Sequence, residues 1–201
     1  ANDGVHQLDL ARWLIGVEVP SKVSCTGGRF DSEGAAETPD TQVATYTFDN
    51  LVMTFELTLY TPYMLKTDGG IRNGDMFPHW QQNATRIELF GTKGLMMVGR
   101  HGGGWQVFGR PKSRKPVVVK ERYGRFPDDP HRQNFIDCVM SRKSPMATAE
   151  IGHRTATICH LNNIAMRVGR TIRWDPLREE LIDDVAAGEL LIPNMRDPWK
   201  V

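Results

Sequence analysis

The 201-residue sequence contains no uninterrupted apolar run near the roughly 20 residues that a membrane-spanning helix needs, so no such helix is expected. It has little charge of either sign in excess: 25 Lys and Arg stand against 24 Asp and Glu. A near-neutral balance gives no ground for nucleic acid or an anionic membrane as partner. Cysteine is scarce as well. Cys25, Cys138 and Cys159 are odd in number and far apart, with neither a CxxC pair nor a Cys/His pattern, so they read as reduced core residues and not as a zinc site. Also lacking are a P-loop, a GxSxG elbow, an obvious carboxylate pair, a long repeat and a low-complexity tract. The first residue is Ala, which together with a helix entry within a few residues marks the chain as a fragment, and any targeting segment would lie in the part that precedes it.

What is present begins with Val5 to Ile15, which reads as a helix stopped by Gly16. Val5, Leu8, Leu10, Ala11, Trp13, Leu14 and Ile15 are too apolar for a segment facing solvent. His6, Asp9 and Arg12 recur at three-residue spacing and so share one side of that helix. A polar line on an apolar helix must be satisfied by partners or open to a cavity, because an unpaired buried polar group costs about 1–3 kcal/mol. Two readings follow from this: the wall of a site, or a tie to neighbouring groups.

Further along, Lys22 to Thr26 alternates as a short strand before Gly27-Gly28-Arg29-Phe30. Thr41–Phe48 and Leu51–Tyr60 form a hairpin about Asp49-Asn50, a connection of the type that tolerates positive φ. In its second arm Met53, Phe55 and Leu57 lie on one face and Thr54, Glu56 and Thr58 on the other, giving one core face and one wet or interfacial face. Periodicity is lost from Thr61 to Asn83. That stretch reads as a long insertion in which His79 and Trp80 could cover a substrate, with structural packing the favoured reading of Trp80.

Strands resume at Arg86–Phe90, Leu95–Gly99, Trp105–Phe108 and Val117–Val119, as an antiparallel meander. The basic run Arg110 to Lys115 is broken by Pro111 and reads as a solvated loop. A helix opens at Asp129-Pro130 and ends near Ser141. A second runs from Ala149 to Val168 and stops at Gly169. On the second, His153 and His160 are two turns apart, roughly 10 Å, which is too far to share a metal directly. Thr171–Trp174 is a last strand, and Asp175-Pro176 opens a short helix.

Gly69-Gly70-Ile71-Arg72-Asn73-Gly74 and Gly102-Gly103-Gly104 neither follow a buried parallel strand nor open a helix, so they are loops and not a dinucleotide-binding turn. The order helix, strands, helices, strand gives a single α+β domain over residues 1–201, a largely antiparallel sheet with helices on one face.

These residues carry a resemblance. The opening Asn-Asp-Gly-Val-His-Gln-Leu-Asp-Leu-Ala-Arg-Trp-Leu-Ile-Gly resembles the helix that begins the C-terminal domain of the glucose-fructose oxidoreductase, inositol dehydrogenase and MocA family. Phe90-Gly91-Thr92-Lys93-Gly94 is similar to a hairpin of that family, and the stretches Glu150–Arg154 and Arg173–Pro176 resemble the last helix and strand of a bacterial subgroup. The resemblance implies a dihydrodipicolinate-reductase-like α/β domain that binds substrate and forms the oligomer through its open sheet face. It also implies a preceding Rossmann domain, outside this sequence, that holds NAD or NADP and supplies a catalytic lysine. This chain alone would then be inactive.

By the same resemblance the histidine of an Asp-x-x-x-His pattern falls on His6, as general base for a sugar or polyol hydroxyl, work to which an imidazole side chain is suited. The aspartate of that pattern is replaced by Asn2, which can hydrogen-bond a hydroxyl but cannot carry charge. Asp9, His79, Trp80, His153 and Arg154 are the remaining candidates for lining the substrate pocket. A sugar-binding or assembly module without chemistry is the competing reading. Which sugar, which nicotinamide and which compartment stay open.

Overall fold

The computed structural model describes residues 4–30, 38–59, 69–74, 76–77, 80–100, 103–110, 116–124, 127–192 and 195–198. In chain order the elements are α1 (Gly4–Ile15), β1 (Lys22–Gly28), β2 (Thr41–Thr47), β3 (Val52–Thr58), α2 (Gly69–Asn73), β4 (Arg86–Phe90), β5 (Gly94–Gly99), β6 (Trp105–Gly109), β7 (Val117–Arg122), α3 (Asp129–Ser141), α4 (Ala149–Val168), β8 (Ile172–Asp175), β9 (Glu180–Leu181) and α5 (Val185–Gly188). The expected α+β architecture is present, and its strands divide between two antiparallel sheets. One has the order β3-β2-β1-β8-β9 and the other β4-β5-β6-β7.

The hairpin read from the sequence sets the first sheet. β2 and β3 pair from Thr41↔Thr58 to Thr47↔Val52, and the Phe48 amide donates to the Leu51 carbonyl at 3.0 Å across Asp49-Asn50. Neither turn residue is among the described residues with positive φ. Alternation then does what its period dictates. Ala44 and Tyr46 of β2 and Val23 of β1 are buried, while Thr54, Glu56 and Thr58 of β3 are exposed.

Onto the inner face pack Leu8 of α1 and Ile158, Cys159, Leu161, Ile164 and Ala165 of α4, closing the main core with Ile172 and Trp174 of β8. The other flank of α1 meets the second sheet, where Ala11, Leu10 and Leu14 pack with Ile87, Val98, Leu89, Met96 and Trp105. α1 is therefore the shared wall of two cores. Trp13, expected among its buried residues, is 72% exposed, since it lies two turns after His6 on the outward side.

α4 has the ends that its sequence announces. Thr148 accepts the Ile151 amide at 3.3 Å as N-cap, and Gly169 ends the helix at φ +66. Cys25 and Cys159 line the main core, and burial pushes the Cys25 thiol up to about 11. Cys138 departs from the expectation, being half-buried on α3.

Three local expectations are corrected. β1 runs past its expected end at Thr26 to take in Gly27 and Gly28; a Cβ on Gly27 would stand 2.1 Å from the Thr41 carbonyl oxygen, so close pairing with β2 requires glycine there. Gly69 to Asn73 forms the short helix α2 instead of a loop. Asp175-Pro176 opens a turn, not a helix: Asp175 Oδ1 accepts the Leu177 and Arg178 amides at 2.9 and 3.1 Å, and the chain then makes β9 before α5. The basic stretch 111–115 lies outside the described residues.

Candidate functional site

The polar line of α1 has both fates that the sequence left open. His6, in the first helical turn, is exposed. Arg12 is buried and turns inward to α4 and to the chain that follows Gly16. Its Nε donates to the Glu18 carbonyl at 2.7 Å, one Nη to Thr155 Oγ1 at 2.7 Å and the other to Glu18 Oε2 at 3.2 Å. Between the two lies Asp9, half exposed, whose Oδ1 is 2.6 Å from Thr155 Oγ1 and 3.7 Å from Arg12.

A threonine hydroxyl has one proton to give and can accept at the same time. Arg12 has only donors, so Thr155 accepts from it and directs its own proton to Asp9. That contact is shorter than the 3.1 Å to the Ile151 carbonyl, the usual acceptor of a mid-helix threonine. A relay Arg12→Thr155→Asp9 thereby ties α1 to α4 one turn from His6.

Arg154 extends the cluster. It is ion-paired to Glu18 and, at 2.6 Å, to Glu150 one turn earlier on α4. The Arg154 guanidinium, with Arg12 adding to it, holds the Glu18 carboxyl below its ordinary range against the opposing effect of burial. In return Glu18 and Glu150 push the Arg154 guanidinium up.

The other expected residues fall elsewhere. His153, adjacent to Arg154 in sequence, has Nε2 2.7 Å from Glu179 Oε1, on the turn between β8 and β9. Glu179 has φ +55, a conformation uncommon for a side chain with Cβ. Trp80 lies against the second sheet, its indole N–H donating to Gln106 Oε1 at 2.8 Å; Gln106 in turn donates to Glu121 at 2.9 Å. Asn2 and His79 lie outside the described residues. The structure therefore joins Asp9 and Arg154 through Arg12, Thr155 and Glu18, leaves His6 exposed one turn before Asp9, and gives His153 and Trp80 other partners.

Thr155 and Glu18 were not singled out by the sequence. A small hydroxyl residue facing an apolar helix was the available signal for Thr155, and for Glu18 a carboxylate just past the helix stop.

No cluster of three metal-ligating side chains occurs among the described residues. No parallel strand pair occurs there either, and α2 has only five residues, so the described residues form no cradle for a dinucleotide pyrophosphate.

Comparison with known proteins supplies the class. The C-terminal alpha/beta domain of an oxidoreductase family, GFO/IDH/MocA, matches residues 96–201, and a second GFO/IDH/MocA C-terminal domain model matches residues 2–97. The chain belongs to the GFO/IDH/MocA oxidoreductase family, as its C-terminal domain.

Among solved structures it is similar to YvaA of Bacillus subtilis, at 16% identity and TM-score 0.59 over 87% of this chain and 51% of that one. It is also similar to the UDP-N-acetylglucosamine 3-dehydrogenase GnnA of Acidithiobacillus ferrooxidans, at 16% identity and TM-score 0.55, covering 82% of this chain and 46% of that one. A third is an oxidoreductase from Agrobacterium radiobacter in complex with NAD+, L-tartaric acid and magnesium, at 17% identity and TM-score 0.54, covering 85% and 47%. At these identities the likeness shows the fold. The chain spans about half the length of the solved structures it matches. No curated protein sequence matches it.

Proposed function

We propose that this chain is the substrate-binding half of an NAD(P)-dependent oxidoreductase acting on a sugar or polyol, with His6 as general base and Asn2 beside it. The observation that carries the reading is an exposed imidazole on the first turn of a helix that is clamped on both flanks and tied through Arg12, Thr155 and Asp9. A base held on a rigid element keeps its geometry through the reaction. His6 takes the proton of a substrate hydroxyl, and Asp9, with one oxygen held by Thr155, offers acceptor capacity to a neighbouring hydroxyl. Arg154, tied to the same network through Glu18, is proposed to line the pocket less directly, whereas His153 and Trp80 serve other partners. NAD or NADP, bound by a preceding domain, would supply the hydride acceptor, so this chain alone has no dehydrogenase activity. The sugar-linked dehydrogenase among the structural neighbours supports the substrate class.

The open face of the first sheet supports homo-oligomerisation. Val43, Val52, Thr54, Glu56 and Thr58 are exposed there, on the side opposite the helices.

The test is NAD(P)-linked oxidation of a panel including myo-inositol, D-glucose and UDP-N-acetylglucosamine by the intact parent, with His6→Ala compared at matched folding. A positioned base contributes about 10²–10⁴-fold, so His6→Ala should lose at least a hundredfold in kcat with cofactor affinity unchanged. Equal turnover of the two forms refutes the role of His6. Assembly without turnover by either form moves the non-catalytic sugar-binding or assembly reading ahead.

A further inference from the structure

The two faces of the second sheet differ in character. Trp105 packs on the α1 side with Ile87 and Val98, so a period of two sends the next residue, Gln106, to the opposite face with its cross-strand partners Met97 and Glu121. On that face a chain of hydrogen bonds runs from a turn to the edge strand β7. The Trp80 indole N–H donates to Gln106 Oε1 at 2.8 Å, Gln106 Nε2 donates to Glu121 Oε2 at 2.9 Å, and the Tyr123 hydroxyl donates to Glu121 Oε1 at 3.3 Å. An indole N–H can only donate, so it fixes which end of the Gln106 amide meets it and turns the amino group towards Glu121.

The rings are held as firmly as the polar groups. Phe77 packs with both Trp80 and Tyr123, at ring-centroid distances of 5.9 and 4.3 Å and interplanar angles of 41° and 33°. It is seated against Gly104, where a Cβ would stand 3.0 Å from the ring. Tyr123 is 44% exposed, Glu121 is exposed, and Phe77 and Trp80 are half-buried. A fixed aromatic surface, bordered by a carboxylate and a carboxamide, thus meets solvent on the far side of the sheet from α1. Hydrogen-bonding capacity is left over there. A carboxylate offers about four acceptor positions and Glu121 receives two donors, while Gln106 has two amide hydrogens and uses one on Glu121.

We propose that Phe77, Trp80, Gln106, Glu121 and Tyr123 form a second carbohydrate-binding site, which takes a neutral pyranose such as a β-linked glucose unit. Such a ring carries its hydroxyls at the edge and shows C–H bonds on its flat face. The face suits the aromatic surface, and hydroxyls that both donate and accept suit the acceptors of Glu121 and the remaining donor of Gln106. A quaternary ammonium ion also seeks aromatic rings and a carboxylate, but it needs rings standing apart as walls. At 4.3 and 5.9 Å these rings fill the space between them. The site is separate from the His6 chemistry and holds whether or not the parent oxidises a sugar.

The experiment titrates cellobiose into the intact parent and follows binding by saturation-transfer difference NMR, comparing wild type with Trp80→Ala, Glu121→Ala and His6→Ala. Wild type should bind, with transfer strongest to the C–H protons of one ring face. Trp80→Ala should weaken binding at least tenfold. Glu121→Ala, at an exposed position of the edge strand, should weaken it at least fivefold and serves alone if Trp80→Ala folds poorly. His6→Ala should leave it within twofold. Absence of cellobiose binding by wild type overturns the proposal, and so does binding that Trp80→Ala and Glu121→Ala leave unchanged. Binding lost in His6→Ala assigns the sugar to α1 and overturns it as well. A parent that binds cellobiose through Trp80 and Glu121 but oxidises no sugar defeats the oxidoreductase reading alone, so the two ideas fail separately.

Discussion

Replacing Thr155 by valine tests the tie between α1 and α4 directly, because valine keeps the shape and removes only the hydroxyl. Thr155 is 2% exposed and Arg12 6%, so water cannot readily replace the lost partner of the Arg12 guanidinium. A hydrogen bond to a charged group contributes about 1.5–3 kcal/mol. Two effects pull the expectation below the upper end: Asp9 is half exposed and regains solvent, and it already stands 3.7 Å from Arg12, close enough to shift towards it. The expected loss is about 2 kcal/mol, or a fall in Tm of about 4–8 °C for a domain of this size. Thr155→Ser keeps the relay and loses one methyl group, at about 1 kcal/mol. Urea unfolding followed by circular dichroism gives both values if the slope m is unchanged. The reasoning fails if valine lies within about 0.5 kcal/mol of wild type, or if serine is as damaging as valine.

Two further outcomes are expected. Gly27→Ala forces a Cβ against the Thr41 carbonyl oxygen and should cost about 3 kcal/mol, with faster amide exchange at the Gly28↔Thr41 end of the hairpin; wild-type stability would show that β1 and β2 separate there without strain. Asp184 is held below the usual aspartate range by its hydrogen bonds to Arg170, at 2.5 and 3.0 Å, and to the Ala187 amide. A carboxyl whose folded-state pKa is depressed stabilises above its unfolded value and loses that contribution as pH falls through the folded one. The stability gap between wild type and Asp184→Asn should therefore be constant at neutral pH and shrink below about pH 4, and a gap that persists unchanged in acid would refute the role of the ion pair.

The parts legible in the sequence were those in which a local signal and the tertiary environment agree. α4 carries its own cap and its own stop, so its range was readable to the residue. The β2–β3 hairpin has strict alternation, and its faces followed from period two alone. β9 was not legible, because two residues, Glu180 and Leu181, cannot show a period. Asp175-Pro176 misled for a related reason: the same dipeptide begins helices and turns, and here the Asp175 side chain captures the amides of a turn.

At the site, residues close in sequence were visible as a group while their partners were not. His6, Asp9 and Arg12 are spaced to be seen together, but the acceptor for Arg12 lies 143 residues away. Arg154 and His153 are neighbours in sequence that serve different partners, one at Glu18 and the other at Glu179. A helix turns adjacent residues about 100° apart, so adjacency carried no information about a shared pocket.

Because α1 seals both sheets, the chain has little freedom to drift on its inward side. Leu8 answers to one sheet and Ala11, three residues on, to the other, so an enlargement at either position moves the helix against the packing the other holds. The outward line of the same helix is under no such double constraint. On the role proposed for His6, the outward residues around it are the ones to vary in a selection for new substrates, and Leu8 and Ala11 are best left out of its libraries.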